Sequence, residues 1–259
     1  MSKVDPMVDY EIHGHVAVLT LNRPEARNAI NGEVAQAMEA ALDRMEADPE
    51  VWVGVLAANG PVFCAGADLK AINSGRAGEL ATAKGGFGGF TTYQRRKPVI
   101  AAIDGLATAG GCEIALACDM IIASQQAAFG LAEVKRNLVA AAGGLYRLPK
   151  LIGKNVALEV ALTGEPLTAE RAYELGLVNQ VVEPGEALGR ALELAQKIAA
   201  NAPLAVWESR ALVIAADWDD EATLQKATGE AFGRVLASED TKEGLTAFIE
   251  KRAPEWKGR

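Results

Sequence analysis

The sequence predicts an α/β fold that becomes helical towards its C-terminus, and three observations carry that expectation. First, short apolar runs feed two small-residue turns, Phe63-Cys64-Ala65-Gly66-Ala67-Asp68-Leu69-Lys70 and Ala109-Gly110-Gly111-Cys112-Glu113, each leading into a helical start. Second, 50% of the residues are hydrophobic but only 5% aromatic, so Ala, Val, Leu and Ile do the packing and helices lie close to strands. Third, beyond about Gly153 the helical period dominates. A chain of 259 residues buries a sizeable core, as one large domain or as a domain with an appendage.

Along the chain, Val8 to Ile12 and His15 to Leu21 read as strands around a turn at His13-Gly14, and Arg23-Pro24 ends the second. Asn31 caps a helix from Gly32 to Ala47, with Glu33 in its first turn and Val34, Met38, Ala41, Leu42 and Met45 along one face. Asp48-Pro49 stops it, and Val51 to Leu56 reads as a buried strand feeding the first glycine turn. Periodicity is lost from Asn73 to Phe90, where glycines accumulate, which predicts a mobile loop or short-helix region placed as a lid after that turn. Pro98 to Ile103 and Met120 to Ile122 are further strands, with the second glycine turn and a helix between them. Thr168 caps Ala169 to Leu175, which stops at Gly176. Leu188–Ala200, Leu204–Ala216, Glu221–Leu236 and Glu239–Lys251 complete the helical end, the last capped by Ser238.

The net charge of −8 argues against a general nucleic-acid or anionic-membrane surface, so an anionic ligand needs a local basic pocket. Cys64, Cys112 and Cys118 form no CxxC pair and leave an odd thiol, as in a reduced cytoplasmic protein. The first residues, Met1 to Pro6, carry neither a signal-peptide nor a transit pattern, and no apolar run approaches the roughly 20 residues of a membrane span. A cytoplasmic location and no membrane partner are expected.

The two glycine turns leave backbone N–H groups uncovered, and two such donors aimed at one oxygen make an oxyanion hole. Glu113 adds a carboxylate, and Phe129-Gly130-Leu131-Ala132-Glu133 brings a second. Singly, each turn is ordinary tight packing and each glutamate an ordinary helix-start or loop acid. Together they are the parts needed to handle an enolate and a water. His13 and His15 alternate and so share one strand face, but with no further histidine in the chain no metal site is expected. Cys112 sits at a helix start, which lowers a thiol pKa, yet no histidine is placed to activate it. Walker and dinucleotide fingerprints are absent from the sequence.

In order and spacing these segments resemble the crotonase (enoyl-CoA hydratase/isomerase) family, from Asn22-Arg23-Pro24 to Phe248-Ile249-Glu250-Lys251-Arg252. The resemblance implies a crotonase-like spiral of β-β-α units in residues 1–200, holding the active site. It implies a helical oligomerisation region in residues 201–259, giving a homotrimer or homohexamer. The implied activity is that of an enoyl-CoA hydratase, a lyase that adds water reversibly and syn across a 2-enoyl-CoA thioester. Glu113 and Glu133 are then the catalytic pair, and the amides of Ala67 and Gly110 the oxyanion hole. Coenzyme A enters as part of the acyl-CoA substrate, with no separate cofactor and no metal. Arg27, Ala29, Ala65, Asp68, Leu69 and Lys70 are implied to bind it. Lys251 reaches a neighbouring subunit's CoA, and Phe248 packs beside the ligand or in the core.

An isomerase of the family works with one carboxylate, so possession of both favours water addition. Asn137, Ala140 and Ala141 depart from the glycine and proline of standard hydratases. The Gly-Gly-Phe stretch, Leu148-Pro149-Lys150 and Ala253-Pro254-Glu255-Trp256-Lys257 resemble the carnitinyl-CoA dehydratase branch. A specialised β-hydroxyacyl-CoA dehydratase, an isomerase and a non-catalytic CoA- or RNA-binding member are the alternatives. RNA binding would want a lysine-rich helix, and the acidic chain has no such run.

Overall fold

The computed structural model describes residues 6–259; Met1 to Asp5, part of the stretch compared above with targeting sequences, lie outside the described residues. Strands β1 (Val8–His13) and β2 (Val16–Leu21) pair antiparallel across a tight turn at Gly14, whose φ of 61° a glycine adopts without strain. Helix α1 (Gly32–Ala47) starts where the Asn31 side chain accepts the Val34 amide at 2.9 Å, and it buries the whole predicted apolar face.

A spiral follows. Strands β3 (Val53–Ala58) and β4 (Val62–Cys64) with helix α2 (Leu69–Asn73) form its first turn. After the small hairpin β5 (Ala81–Thr82) and β6 (Gly86–Phe87), strands β7 (Val99–Ile103) and β8 (Leu106–Thr108) with helix α3 (Gly110–Leu116) form the second. Strands β9 (Met120–Ser124) and β10 (Ala128–Gly130), with a 3-10 turn at Glu133–Arg136, form the third. Then come α4 (Gly144–Ile152), α5 (Lys154–Thr163), β11 (Leu167–Thr168), α6 (Ala169–Glu174) and β12 (Gln180–Val182). Helices α7 (Ala187–Ala199), α8 (Pro203–Ala215), α9 (Glu221–Leu236) and α10 (Glu239–Glu250) close the chain.

Each spiral turn sends its first strand into a six-stranded sheet, order β1-β2-β3-β7-β9-β12, and its second into a smaller sheet, order β11-β10-β8-β4. The large sheet is parallel from β2 onward. Its central strands β2, β3, β7 and β9 are covered on both faces and are apolar on both sides, whereas the edge strand β1 exposes Glu11 and His13. On β7, Val99, Ala101 and Ile103 face the core under the small sheet and α1, while Ile100 and Ala102 face α7. Ala187, Ala191 and Ala195 recur every four residues on that helix and let its backbone lie close to the sheet. This is how an alanine-rich chain fills its interior with few aromatics.

The structure moves some predicted elements. The third strand starts at Val53 because Trp52, though buried, stacks on His15 with ring centroids 3.5 Å apart and gives its indole N–H to Pro49 O at 3.0 Å. The segment read as a mobile lid is docked on α1. The Glu39 carboxylate takes the Thr82 hydroxyl and, at 2.8 Å, the Gly85 amide; Lys84 pairs with Asp43; and a Cβ on Gly89 would collide with the Ala35 carbonyl. The helical end also touches the sheet. Trp207 of α8 is buried against the large sheet and donates to Trp52 O at 3.0 Å, and Arg210 meets Asp119 at 2.9 Å. The C-terminal tail folds back: Trp256 donates to Ala200 O at 2.8 Å, and Asp240 accepts the amides of Lys257 and Gly258 at 2.7 and 2.9 Å. Among the described residues no helix is long and apolar enough to cross a membrane.

Candidate active site

The small sheet builds the site. Its parallel register sets Cys64 beside Ala107, Ala107 beside Phe129, and Thr108 beside Gly130. The chain therefore leaves the carboxyl ends of β4, β8 and β10 in three adjacent loops, the place where open parallel sheets receive ligands. Those loops lead to Ala67, then to Gly110 and Glu113 on α3, then to Glu133 at the 3-10 turn.

Ala67 pairs with Ile30 in an isolated parallel bridge made by its neighbours: Ile30 donates to Gly66 O at 2.8 Å and Asp68 to Ile30 O at 2.9 Å. That pattern turns the Ala67 amide to the opposite side. Gly110 opens α3, so its amide has no acceptor within the helix. Ala109, just before it, holds φ 51° and ψ −129°, a conformation costly for any residue with a Cβ, and its amide is fixed on Gly130 O at 2.8 Å. The Phe87 ring lies over Gly110, where a Cβ would collide with it.

Glu113 is 2% exposed. Its Oε1 accepts the amides of Ala142 and Gly144 at 2.7 and 2.9 Å. Burial raises its pKa, while those amides and the Arg147 charge act against the rise. Glu133 is half-buried, and its Oε2 is enclosed without a hydrogen-bond partner. Burial, with the Glu113 charge adding to it, pushes its pKa from 4.5 up to about 7. One carboxylate is thus cradled by donors, and the other is left to hold a proton near neutrality.

The other predicted residues fall into two groups. Arg27, Ala29, Ala65, Asp68, Leu69 and Lys70 lie on one contiguous edge, because Ala65 donates to Arg27 O at 3.0 Å and the 27–30 segment runs beside 65–68. Arg27, Leu69 and Lys70 are exposed there. The Asp68 carboxylate is already engaged: it caps α2 through the Lys70 amide at 2.9 Å and pairs with Arg23 at 2.8 Å. Arg23 also holds Ala29 O at 3.0 Å. Phe248 and Lys251 stand apart, on α10, which packs on α9 and the returning tail. Phe248 is 84% exposed, so it is not a core residue of this chain.

Two expectations about reactive side chains are corrected. The Cys112 thiol is raised, not lowered, because burial and the nearby Glu113 and Glu133 charges outweigh the helix start. His13 and His15 do not share a strand face: the turn at Gly14 separates them, His13 reaching Glu11 at 3.4 Å and His15 stacking on Trp52.

Sequence reasoning missed Phe87 and the amides of Ala142 and Gly144. An aromatic between two glycine pairs was a usable signal for the first; a peptide cradle leaves no side-chain signature. Two cavities, of about 440 and 1010 Å³, lie away from these carboxylates, on the outer sheet face near Asp9 and Asp104, and between the end of α3 and α8. Neither is lined by Glu113 or Glu133, and the chemistry points to the three loops.

Known proteins share this fold. A sequence model of the enoyl-CoA hydratase/isomerase family matches residues 11–259. The short-chain-enoyl-CoA hydratase of Clostridium acetobutylicum is 40% identical over 250 residues, 93% of this chain and 94% of that protein. The carnitinyl-CoA dehydratase of Proteus mirabilis is 40% identical over 252 residues, 95% of this chain and 96% of that protein. The crystal structure of an enoyl-CoA hydratase from Mycobacterium tuberculosis superposes with a TM-score of 0.94 at 44% identity, covering 98% of this chain and all of that one. With its spiral of paired strands and its match from residue 11 to the last, this chain belongs to the enoyl-CoA hydratase/isomerase family.

Proposed function

We propose that the protein is an enoyl-CoA hydratase, a hydro-lyase that adds water reversibly to a 2-enoyl-CoA thioester. The observation that carries this reading is the unequal carboxylate pair: Glu113 fixed by two amides, Glu133 with an unpartnered buried oxygen and a pKa raised by burial. Glu113 takes a proton from water as the hydroxyl bonds to C3. The C2–C3 π electrons move towards the thioester oxygen, giving an enolate held by the Ala67 and Gly110 amides. Glu133 then delivers its proton to C2, and both carboxylates on one side of the double bond make the addition syn. Groups whose proton affinities are driven apart divide acid and base work in this way.

Arg27 and Lys70 supply cations for the CoA phosphates, with the backbone of Ala29, Ala65 and Leu69 lining the channel and Asp68 holding its wall. Residues 1–200 carry the site and 201–259 assemble a homotrimer or homohexamer, so that Phe248 and Lys251 meet a neighbour's CoA. The working compartment is the cytoplasm. A specialised β-hydroxyacyl-CoA dehydratase is the second reading, favoured by Asn137 in place of glycine, held left-handed at φ 56°, and by the likeness to the Proteus enzyme.

A panel of enoyl- and β-hydroxyacyl-CoA thioesters, followed by enoyl absorbance, tests both readings. Glu113→Gln and Glu133→Gln should each lower turnover at least about 100-fold with little change in CoA binding. Near-parental hydration by either variant would sink the paired mechanism.

A further inference from the structure

Arg147 lies on α4, and its guanidinium turns back across the start of its own helix. Nη1 donates to Ala142 O at 3.1 Å and Nη2 to Thr91 O at 2.6 Å. The peptide it grips, between Ala142 and Gly143, lies between the two peptides whose N–H groups hold Glu113 Oε1. Gly143 makes the passage possible: it holds φ 114°, and a Cβ there would collide with Arg147 Nη1. The far end of the tether, Thr91, follows the hairpin that carries Phe87, so one side chain ties the Glu113 cradle to the segment that leaves this hairpin. Arg147 also borders the cavity of about 1010 Å³, whose other lining residues include Lys150 and Trp218.

We propose that Arg147 is the positioning residue of Glu113: it fixes the two cradle amides and thereby the aim of the carboxylate at the attacking water. The proposal rests on the hydratase reading above. A small misplacement of a reacting group costs up to about 100-fold in rate without touching ground-state binding. The titratable and charged groups facing Glu113 are Arg147 from α4, Glu133 from the turn after β10, and the Cys112 thiol on its own helix. The Arg147 charge favours ionised Glu113, so its removal shifts protonation of that carboxylate to higher pH.

The test uses the full-length enzyme with but-2-enoyl-CoA as substrate. Arg147→Met should lower kcat about 10- to 100-fold with KM unchanged, and move the acid limb of the kcat profile to higher pH. Arg147→Lys restores the charge but not the two-pronged grip; it should return the acid limb towards the parent while keeping most of the kcat loss. A folded Arg147→Met enzyme with parental kcat and acid limb overturns the proposal, as does one in which only KM changes. Should the Met variant not fold, the Lys variant decides, and a parental kcat there overturns it. Glu113→Gln run alongside separates the two claims. A parental rate in that variant overturns the hydratase reading, whereas an inactive Glu113→Gln beside a parental Arg147→Met overturns only the role of Arg147. If the parent does not turn over this thioester, the ¹³C carboxyl titration of Glu113 still decides: an upward shift in Arg147→Met supports the proposal and an unchanged titration overturns it.

Discussion

Gly66 stands so close to Gly110 that a Cβ on the first would lie 2.9 Å from the amide nitrogen of the second. The two glycine turns, 44 positions apart in number, are therefore one surface. Tight backbone contact of this kind lets both loops present donors to a single oxygen.

Disturbing that contact should injure catalysis more than binding. Ala67→Pro removes one donor, and Gly110→Ala drives a methyl into the Phe87 ring. Each should cost roughly 100-fold or more in kcat with a smaller change in KM. Phe87→Ala added to Gly110→Ala should recover part of the loss by restoring room. Kinetics accompanied by circular dichroism and sizing check this. A folded Ala67→Pro enzyme with parental turnover would remove that amide from the oxyanion hole.

Glu133 makes stability depend on pH. Its folded pKa, about 7 against an ordinary 4.5, means the folded chain keeps a proton that the unfolded chain has already lost. Stability therefore falls as pH rises between those values, and the loss is complete above pH 7. After solvent screening of a half-exposed group the effect is on the order of 1 kcal/mol. Relative to the parent, the Tm of Glu133→Gln should rise by about 2–4 °C between pH 5 and pH 8. A Tm difference that stays constant over that range would show that Glu133 titrates normally.

Ala109 predicts the opposite kind of outcome, a gain. Its φ of 51° with ψ −129° strains any side chain bearing a Cβ, so Ala109→Gly should raise Tm by about 2 °C, the strain relieved exceeding the added freedom of the unfolded chain. Ala109→Val should lower it. Thermal melts of the two variants settle the sign, and destabilisation by glycine would mean that the conformation is not strained.

The helical end gives the assembly prediction. Phe232, Leu236, Leu245, Phe248 and Ile249 are exposed on α9 and α10, more apolar surface than a free helix pair keeps. Light scattering should find a trimer or a hexamer. A stable monomer at micromolar concentration would remove Lys251 from any neighbour's site.

Legibility followed length of element and kind of signal. Asn31, Thr168 and Ser238 cap the helices they announce, because a cap is a local side-chain contact. The helix Glu221–Leu236 has its predicted bounds, and its period needed no tertiary help. The strands of the small sheet are not legible in this way: only two or three residues each, they are held by neighbours in the sheet and carry too little alternation to show. In the candidate site, chemistry and spacing single out Glu113 and Glu133 from the sequence. Their unequal surroundings are not legible there, because amides from Ala142 and Gly144 and the closed space around Glu133 arise only when distant segments pack.

The division of labour between peptide groups and side chains has an evolutionary consequence. In the proposed mechanism the grip on the thioester oxygen is written in the chain's path, and the proton traffic in two codons. A single base change can erase Glu113 or Glu133, whereas most base changes at Ala67 leave its N–H in place. A gene copy that lost one acid would still inherit a pocket suited to oxygen-centred negative charge, ready for selection to pair with a different reaction. Anion holding would then stay with the path of the chain, and the choice between adding, removing or relocating atoms is the part that can be rewritten.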